Sequence, residues 1–339
     1  MPVTIKDIAT ITGLSISTVS SVLNNKTETA RISEETAKKV QHAALKLNYK
    51  PNMLASGLRR GTTNSIGIVI SDISHSFLTE LSTIIEYKLR ELGFHVFVVG
   101  SNENDDQCKD LIDTFLTYHV DGLIIAATGG LKEKIIQLNK LKIPFVLLDR
   151  YFKGVETNAV VMDNYQSAYK AVEYLLKKGY RRIATFMYDT KLQNMRDRLN
   201  GYKAALKSYG IRYDKRITPV LPFFHKFDSK EIDKSLKYLV ETMKIDAFFF
   251  QTTKISVAGL KSFAKFNYAI PNDVAVICFH DNDFFTLLNP TITSLCQPTE
   301  KMALECVRIL INDIKQVGDK YSKEKVFFVS EFINERGSS

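Results

Sequence analysis

From Ile66 onward the chain alternates short, nearly continuous apolar runs with amphipathic stretches, and this rhythm limits the folds open to it. IGIVI (66–70) precedes a helical pattern near 76–92, and HVFVV (95–99) precedes one near 105–118. GLIIA (122–126) and FVLL (145–148) continue the series. A second set follows, with RIATFM (182–187), ITPVL (217–221), DAFFFQ (246–251) and VAVICF (274–279). Runs that are apolar on both faces suit strands covered on both sides, and alternation with helices brings such strands together in parallel. Ligands of such sheets bind beyond the carboxyl ends of the strands.

The segment ahead of these runs has a different period. Residues 4–25 read TIKDIATITGLSISTVSSVLNN. Ile5, Ile8 and Ala9 recur at helical spacing before Gly13 and Leu14, and Val19, Val22 and Leu23 recur after them. Thr4 and Ser15 stand at N-cap positions, with Asp7 three residues beyond the first. Ser17, Thr18, Ser20 and Ser21 give the second helix a polar face. Ser33 caps a third helix carrying Ala37, Val40, Ala44 and Leu47, which closes a small three-helix core before Pro51. The pattern predicts an all-α helix-turn-helix whose recognition helix, about 16–23, lies in a DNA major groove. An ordinary helical hairpin with a solvated serine face fits the same spacing.

Charge favours the DNA reading. Residues 1–60 hold nine Lys/Arg against four Asp/Glu, an excess of five, whereas the remaining 279 residues share the other four units of the net +9. Basic charge concentrated on one module suits phosphate contacts. Cys108, Cys278, Cys296 and Cys306 show no metal-ligand spacing, so we expect reduced thiols, no metal and no cofactor. Neither a signal peptide nor a membrane-spanning run is read from the sequence, which leads us to expect a cytoplasmic protein with no membrane partner. No GxSxG, HExxH, P-loop or GxGxxG-to-helix signature occurs, so no catalytic residue is expected.

The segments VTIKDIA, STVSSVLNN, ISEETAKKV, LNYKPN, IGIVISDIS, DNYQSAYKAVEYLLKKGYRRIA, RLNGYKAAL, IPNDVAV and NPTITSL follow one another in this order. Together they resemble the lactose/galactose repressor family of bacterial transcription regulators, nearly end to end. The resemblance implies a helix-turn-helix domain (1–50), a hinge helix and linker (51–64) and a bilobed, periplasmic-binding-protein-like α/β domain of two doubly wound parallel sheets (65–339). We expect the first lobe at about 65–161 and 292–322 and the second at about 162–291 and 323–339. The chain would then cross between lobes near 161–164, 289–293 and 321–325.

On this resemblance Thr4, Ser15, Ile16, Ser17, Thr18, Ser20, Ser21 and Asn25 face DNA. In the hinge Asn52, Ala55 and Leu58 hold the family spacing. Leu58 would wedge into the minor groove at a central base step, with Arg59 and Arg60 near phosphates or the groove floor. A segment this short, with Gly57 inside it, is marginal as an isolated helix and suits ordering on binding. Ser21 stands where the family commonly carries Arg or His, and Ile16 and Ser17 lack bidentate donors. Groove shape and kinkability therefore carry much of the expected specificity.

The expected effector contacts are Phe77, Asp149, Arg150, Arg198, Phe227, Thr252, His280 and Asp281. Arg198, in RLNGY, matches an arginine that binds ligand hydroxyls or carboxylates across the family, a task suited to a five-donor fork. Phe77 and Phe227 also fit core roles, and Asp149–Arg150 also fits a surface pair. Where sugar-responsive members read AND this chain reads QTT, placing Thr252 at the asparagine. Where they read GFDD or GYDN it reads CFHD, placing His280 at the ligand-binding aspartate. Either His280 or its neighbour Asp281 is then the contact. Losing an acidic acceptor while keeping Arg150 and Arg198 favours an acidic effector, such as a sugar acid or sugar phosphate. The function expected is a homodimeric repressor of a palindromic operator under effector control. Control by a partner protein, or a plain solute-binding protein, are the alternatives.

Overall fold

The computed structural model describes residues 3–24, 27, 30–49, 62–223, 229–315, 323–328 and 332–339. The chain divides into two compact units, Met1–Thr63 and Asn64–Ser339.

The first unit is helical, with α1 (Ile5–Thr12), α2 (Ile16–Leu23) and α3 (Glu34–Lys46). The Asp7 carboxylate accepts from the Thr4 amide at 2.7 Å and from its hydroxyl at 2.8 Å, fixing the start of α1. Gly13 ends that helix at φ +67°, a conformation that would strain a residue with a Cβ, and so sets the tight turn. Ser15 Oγ accepts from the Thr18 amide (3.1 Å) and Ser33 Oγ from the Thr36 amide (3.3 Å), so serines cap both later helices. Ile8, Ala9, Val19, Val22, Val40 and Ala43 meet in the core, with Ala37, Ala44 and Leu47 packed half-buried around them.

The second unit carries two sheets. The strands are β1 (Ser65–Ile70), β2 (His95–Gly100), β3 (Gly122–Ile125), β4 (Phe145–Leu148), β5 (Ala159–Met162), β6 (Ile183–Thr185), β7 (Met187–Tyr188), β8 (Val220–Leu221), β9 (Ala247–Phe250), β10 (Ala275–Cys278), β11 (Thr293–Cys296), β12 (Lys325–Phe328) and β13 (Phe332–Asn334). The first sheet runs β12-β5-β4-β3-β1-β2 and is parallel throughout, with Ile66 paired to Val96 on one side and Gly122 on the other. The second runs β13-β11-β10-β9-β6 and is parallel except at β11–β13. The expected strand at 217–221 contracts to β8, which pairs only with β7, outside the main sheet. Ile217 sits in a 3-10 turn there because Asp214 caps that turn through the Arg216 amide.

Helices cover both faces of each sheet. In the first lobe α4 (Ser76–Glu91) shares one buried cluster with the C-terminal α11 (Thr299–Lys315). On the other face lie α5 (Asp105–Thr117) and α6 (Lys132–Lys140). The second sheet is flanked by α7 (Asn164–Lys177) and α8 (Gln193–Ser208) on one side. On the other lie α9 (Ser229–Glu241) and α10 (Thr253–Phe266). Strands such as β1, β3, β4, β9 and β10 are buried along their whole length, which is why they read as unbroken apolar runs.

Two expected lobe boundaries move. β11 pairs with β10 (Ile277 with Thr293), so 293–296 belongs to the second lobe, and the return crossing falls between Cys296 and Thr299 rather than near 289–293. β12 pairs with β5 (Lys325 with Ala159), so the last crossing lies between Phe328 and Phe332 rather than near 321–325. Local composition does not say which of two sheets a short strand such as TSLC or KVFF joins. The first crossing runs from Met162, the end of β5, into Asn164, the start of α7.

Candidate functional site

On the helical unit the residues expected at DNA occupy the start and one side of α2. Thr4, Ser15, Ile16 and Ser17 are exposed, and Thr18, Ser20 and Ser21 are half-buried. Ile16 leaves 47% of its surface open at the first turn of α2, an uncompensated apolar group on an otherwise hydroxyl-lined face. Ser17 and Thr18 place their hydroxyls 2.7 and 2.8 Å from Ser15 Oγ, forming a local network that a DNA partner would have to join or replace. Asn25, Asn52, Ala55, Leu58 and Arg59 lie outside the described residues.

In the large unit a cavity opens beyond the carboxyl ends of both sheets. From the first lobe it is lined by His75 after β1, Glu103 after β2 and the pair Asp149–Arg150 after β4. From the second lobe come Tyr188, Thr252 after β9, His280 after β10, and Asn194 and Arg198 one turn apart on α8.

Arg198 is 2% exposed. Its Nε donates to Asn164 Oδ1 at 2.8 Å, and its Nη1 donates to the Gln251 carbonyl and to His280 Nε2 at 3.3 Å. The guanidinium lies 3.7 Å from the Phe279 ring centroid, a desolvated cation–π contact. Burial pulls its pKa down to about 10, with Asp149 opposing that effect and Arg150 adding to it, so the group is charged at neutral pH. Because Asn164 begins α7 directly after the first crossing, this arginine ties the cavity to the interlobe strap.

Arg198 can only donate to His280 Nε2, so that nitrogen is the bare one and Nδ1–H donates to Gln297 Oε1 at 3.0 Å. Burial first, then Arg198 and His75, hold His280 well below the ordinary histidine range, so the ring is neutral. It meets His75 edge-on at 5.3 Å between centroids, one lobe against the other.

Arg150 makes a two-pronged bond to Glu103 (2.9 and 2.5 Å) and a third to the Ala127 carbonyl (3.1 Å). Its charge is therefore answered inside the protein. Asp149, 7% exposed at φ +64°, presents Oδ1 without a hydrogen-bond partner. A buried acceptor of this kind is costly unless a ligand donor reaches it.

Of the expected contacts, the structure brings Asp149, Arg150, Arg198, Thr252 and His280 to the cavity. Thr252 also caps α10, accepting from the Ile255 amide. Phe77 is not on the cavity wall: it is buried in the first-lobe core with its ring 5.4 Å from that of His280. Asp281 is taken by Arg336, Ser294 and Asn334, and does not line the cavity. Despite burial, which raises it, bonds from Arg336 and Ser294 hold its carboxyl below the usual range. Phe227 lies outside the described residues. Sequence reasoning missed His75, Glu103, Tyr188 and Asn194. The strand-end rule would have pointed to the first three, and the four-residue spacing to Arg198 to the last.

Among the described residues, no cluster of three or more His, Cys, Asp or Glu is arranged to hold a metal, and no helix is long and apolar enough to cross a membrane.

Comparison with known proteins bears on both sites. Residues 4–52 match the bacterial regulatory proteins of the lacI family. Residues 63–223 match the periplasmic binding proteins and sugar binding domain of the LacI family, and 172–339 a periplasmic binding protein-like domain. The HTH-type transcriptional regulator RegA of Clostridium acetobutylicum is 32% identical, over 100% of this chain and 99% of its own. The chain belongs to the LacI family of bacterial regulatory proteins. Catabolite control protein A of Priestia megaterium is 30% identical, over 91% of this chain and 92% of its own. The lac repressor dimer bound to operator and the anti-inducer ONPF shares the fold at a TM-score of 0.82, with 21% identity, covering 100% of this chain and 99% of that one. The CelR–cellobiose complex does so at 0.72 and 24% identity, covering 99% and 100%. As a LacI-family member this chain is a helix-turn-helix, DNA-binding transcription regulator, and its relatives are regulators rather than enzymes.

Proposed function

We propose that this LacI-family regulator is a homodimeric repressor whose hold on a palindromic operator is set by a small hydroxylated effector bound between the lobes. The observation that carries this reading is the cavity itself. Buried Arg198 has its Nε and Nη1 committed to protein acceptors, with Nη2 making no hydrogen bond among the described residues, and Asp149 Oδ1, on a wall of the same cavity, lacks a donor. A donor edge beside an acceptor is the complement of a sugar's vicinal hydroxyls. CelR with cellobiose and the lac repressor with ONPF carry small ligands on this fold.

Homodimerisation is supported by β2. It is the edge strand of the first sheet, yet it exposes Phe97 (53%) and Val98 (40%), and Leu92 and Tyr118 are exposed as well. A bare apolar edge is a template for a second copy. Binding across the lobes would bias their closure, and a coupling of about 1–3 kcal/mol suffices for a several-fold to hundred-fold change in operator affinity.

The test begins with duplexes selected from a random pool by the full chain. A palindrome, bound by a dimer and released or tightened by a sugar only when Arg198 is present, is the expected result. A non-palindromic consensus bound by a monomer, or an effector response that survives Arg198→Ala, would refute it. Leu58→Ala should weaken this operator far more than nonspecific DNA if the hinge acts as a wedge, and equal losses would exclude that role.

A further inference from the structure

With an acidic acceptor lost, Arg150 and Arg198 would favour an acidic effector, but of these two only Arg198 has no carboxylate partner in the main chamber. Arg150 is answered by Glu103 and, at 3.6 Å, by Asp149, whose Oδ1 still lacks a donor, and both histidines are depressed toward the neutral form by burial. Arg198 and Lys254 leave some positive charge in that chamber, but a denser group of cations lies beside it. A second chamber sits beside the first, sharing Arg150 and Leu192 as a common wall, and it too is lined from both lobes. Its other walls include Lys132 at the start of α6, Tyr151 and Lys153 after β4, and Lys191 just before α8. None of the three lysines forms an ion pair among the described residues, and no carboxylate lines this chamber. The chamber measures about 120 Å³ against about 50 Å³ for the first.

We infer that this lysine-lined annex is the subsite for an anionic group carried by the effector, a phosphate or carboxylate attached to the sugar held at Asp149 and Arg198. This deepens the reading above and rests on it. The two chambers divide the work. Carboxylate acceptor and guanidinium donor read hydroxyls in the first, where a free anion would face Asp149. In the second, three flexible ammonium groups converge on a charge without requiring one fixed geometry. Since Lys132 and Lys153 belong to one lobe and Lys191 to the other, an anion between them draws the lobes together. Binding of the charged end therefore favours the closed cleft.

Titration calorimetry on the full-length dimer distinguishes the chambers. The probes are a set of hexoses, their 6-phosphates and the corresponding hexonates, measured against wild type, Arg198→Ala and the triple variant K132Q/K153Q/K191Q. The three lysines are exposed, so the triple variant keeps the buried core intact. Anionic probes are expected to bind at least tenfold tighter than their neutral parents at low salt, with the advantage shrinking as salt rises. In the triple variant the advantage falls below threefold while neutral hexoses bind as before. Equal binding of neutral and anionic probes, or an anionic advantage that survives in the triple variant, would overturn the annex. So would failure of every probe to bind wild type. If Arg198→Ala binds the probes as wild type does, the effector-cleft reading itself fails, a result distinct from failure of the annex alone.

Discussion

Arg198 Nη1 stands 3.3 Å from His280 Nε2, and the contact works only one way: the arginine donates and the imidazole accepts. With Asn164 on its Nε and the Gln251 carbonyl on Nη1, the guanidinium is held by three partners before any ligand arrives. Such prior fixation reduces the ordering cost that binding would otherwise carry.

Arg198→Lys tests that arrangement. Lysine keeps the charge but cannot span Asn164, Gln251 and His280 in one plane. The expected outcome is at least a tenfold loss of effector affinity, read by calorimetry, with operator affinity in the absence of effector within threefold of wild type. Retained effector affinity would show that charge alone, not the fork, is what the site needs.

Glu103→Gln addresses the opposite wall. The Glu103 side chain is 4% exposed and that of Arg150 13%, so removing the carboxylate charge leaves a buried cation with only Asp149, 3.6 Å from its Nε, as counter-ion. Breaking such a pair costs about 3–5 kcal/mol, and because glutamine still offers one acceptor the lower end, about 3 kcal/mol, is expected. Chemical denaturation of the large unit reads this directly. Replacing both residues, as Glu103→Gln with Arg150→Met, should recover part of the loss.

Periodicity alone showed the buried strands and most helices, because strands such as β1, β3, β4, β9 and β10 are covered on both faces and carry no polar alternation. The helix-turn-helix was equally legible, since its caps at Thr4 and Ser15 and its turn at Gly13 are local. What the sequence left open was partnership. β11 (TSLC) and β12 (KVFF) carry no local signal that assigns them to one sheet rather than the other. Asp281 reads as a ligand contact until Arg336, 55 positions away, is seen to hold it. Arg150 reads as a free cation until Glu103 arrives from the end of β2, with β3 and β1 between their strands. Each of these depends on a long-range partner, a strand or an opposite charge, which spacing does not encode.

Gly201 carries the third prediction. It lies on α8 where that helix crosses α7, and a Cβ there would run into the Tyr165 carbonyl oxygen and the Tyr169 amide, both backbone atoms that cannot rotate aside. Gly201→Ala should therefore destabilise the large unit by about 2–4 kcal/mol, as overpacked core sites do, despite alanine's better helix propensity. A thermal unfolding midpoint equal to wild type would mean that the two helices can separate freely.

The last prediction concerns acid. His280 is depressed chiefly by burial, then by Arg198 and His75; His75 is depressed chiefly by burial as well, with Arg150 and Arg198 lowering it and Asp149 and Asp72 opposing. Both are neutral in the folded unit and would titrate near 6.5 when unfolded. Between those values the unfolded chain binds more protons than the folded one, so stability rises with pH. Their contribution is fully present above about pH 6.5 and falls as the pH drops below it, at up to about 1.4 kcal/mol per pH unit for each ring. Denaturation midpoints between pH 7.5 and 5 should follow that slope. His280→Gln keeps an acceptor for Arg198 and removes one titrating ring, so its stability should fall less steeply over the same interval, whatever its value at pH 7.5. Parallel profiles for the two proteins would mean that His280 takes up its proton without disturbing the fold, and that the neutral ring is not what Arg198 requires.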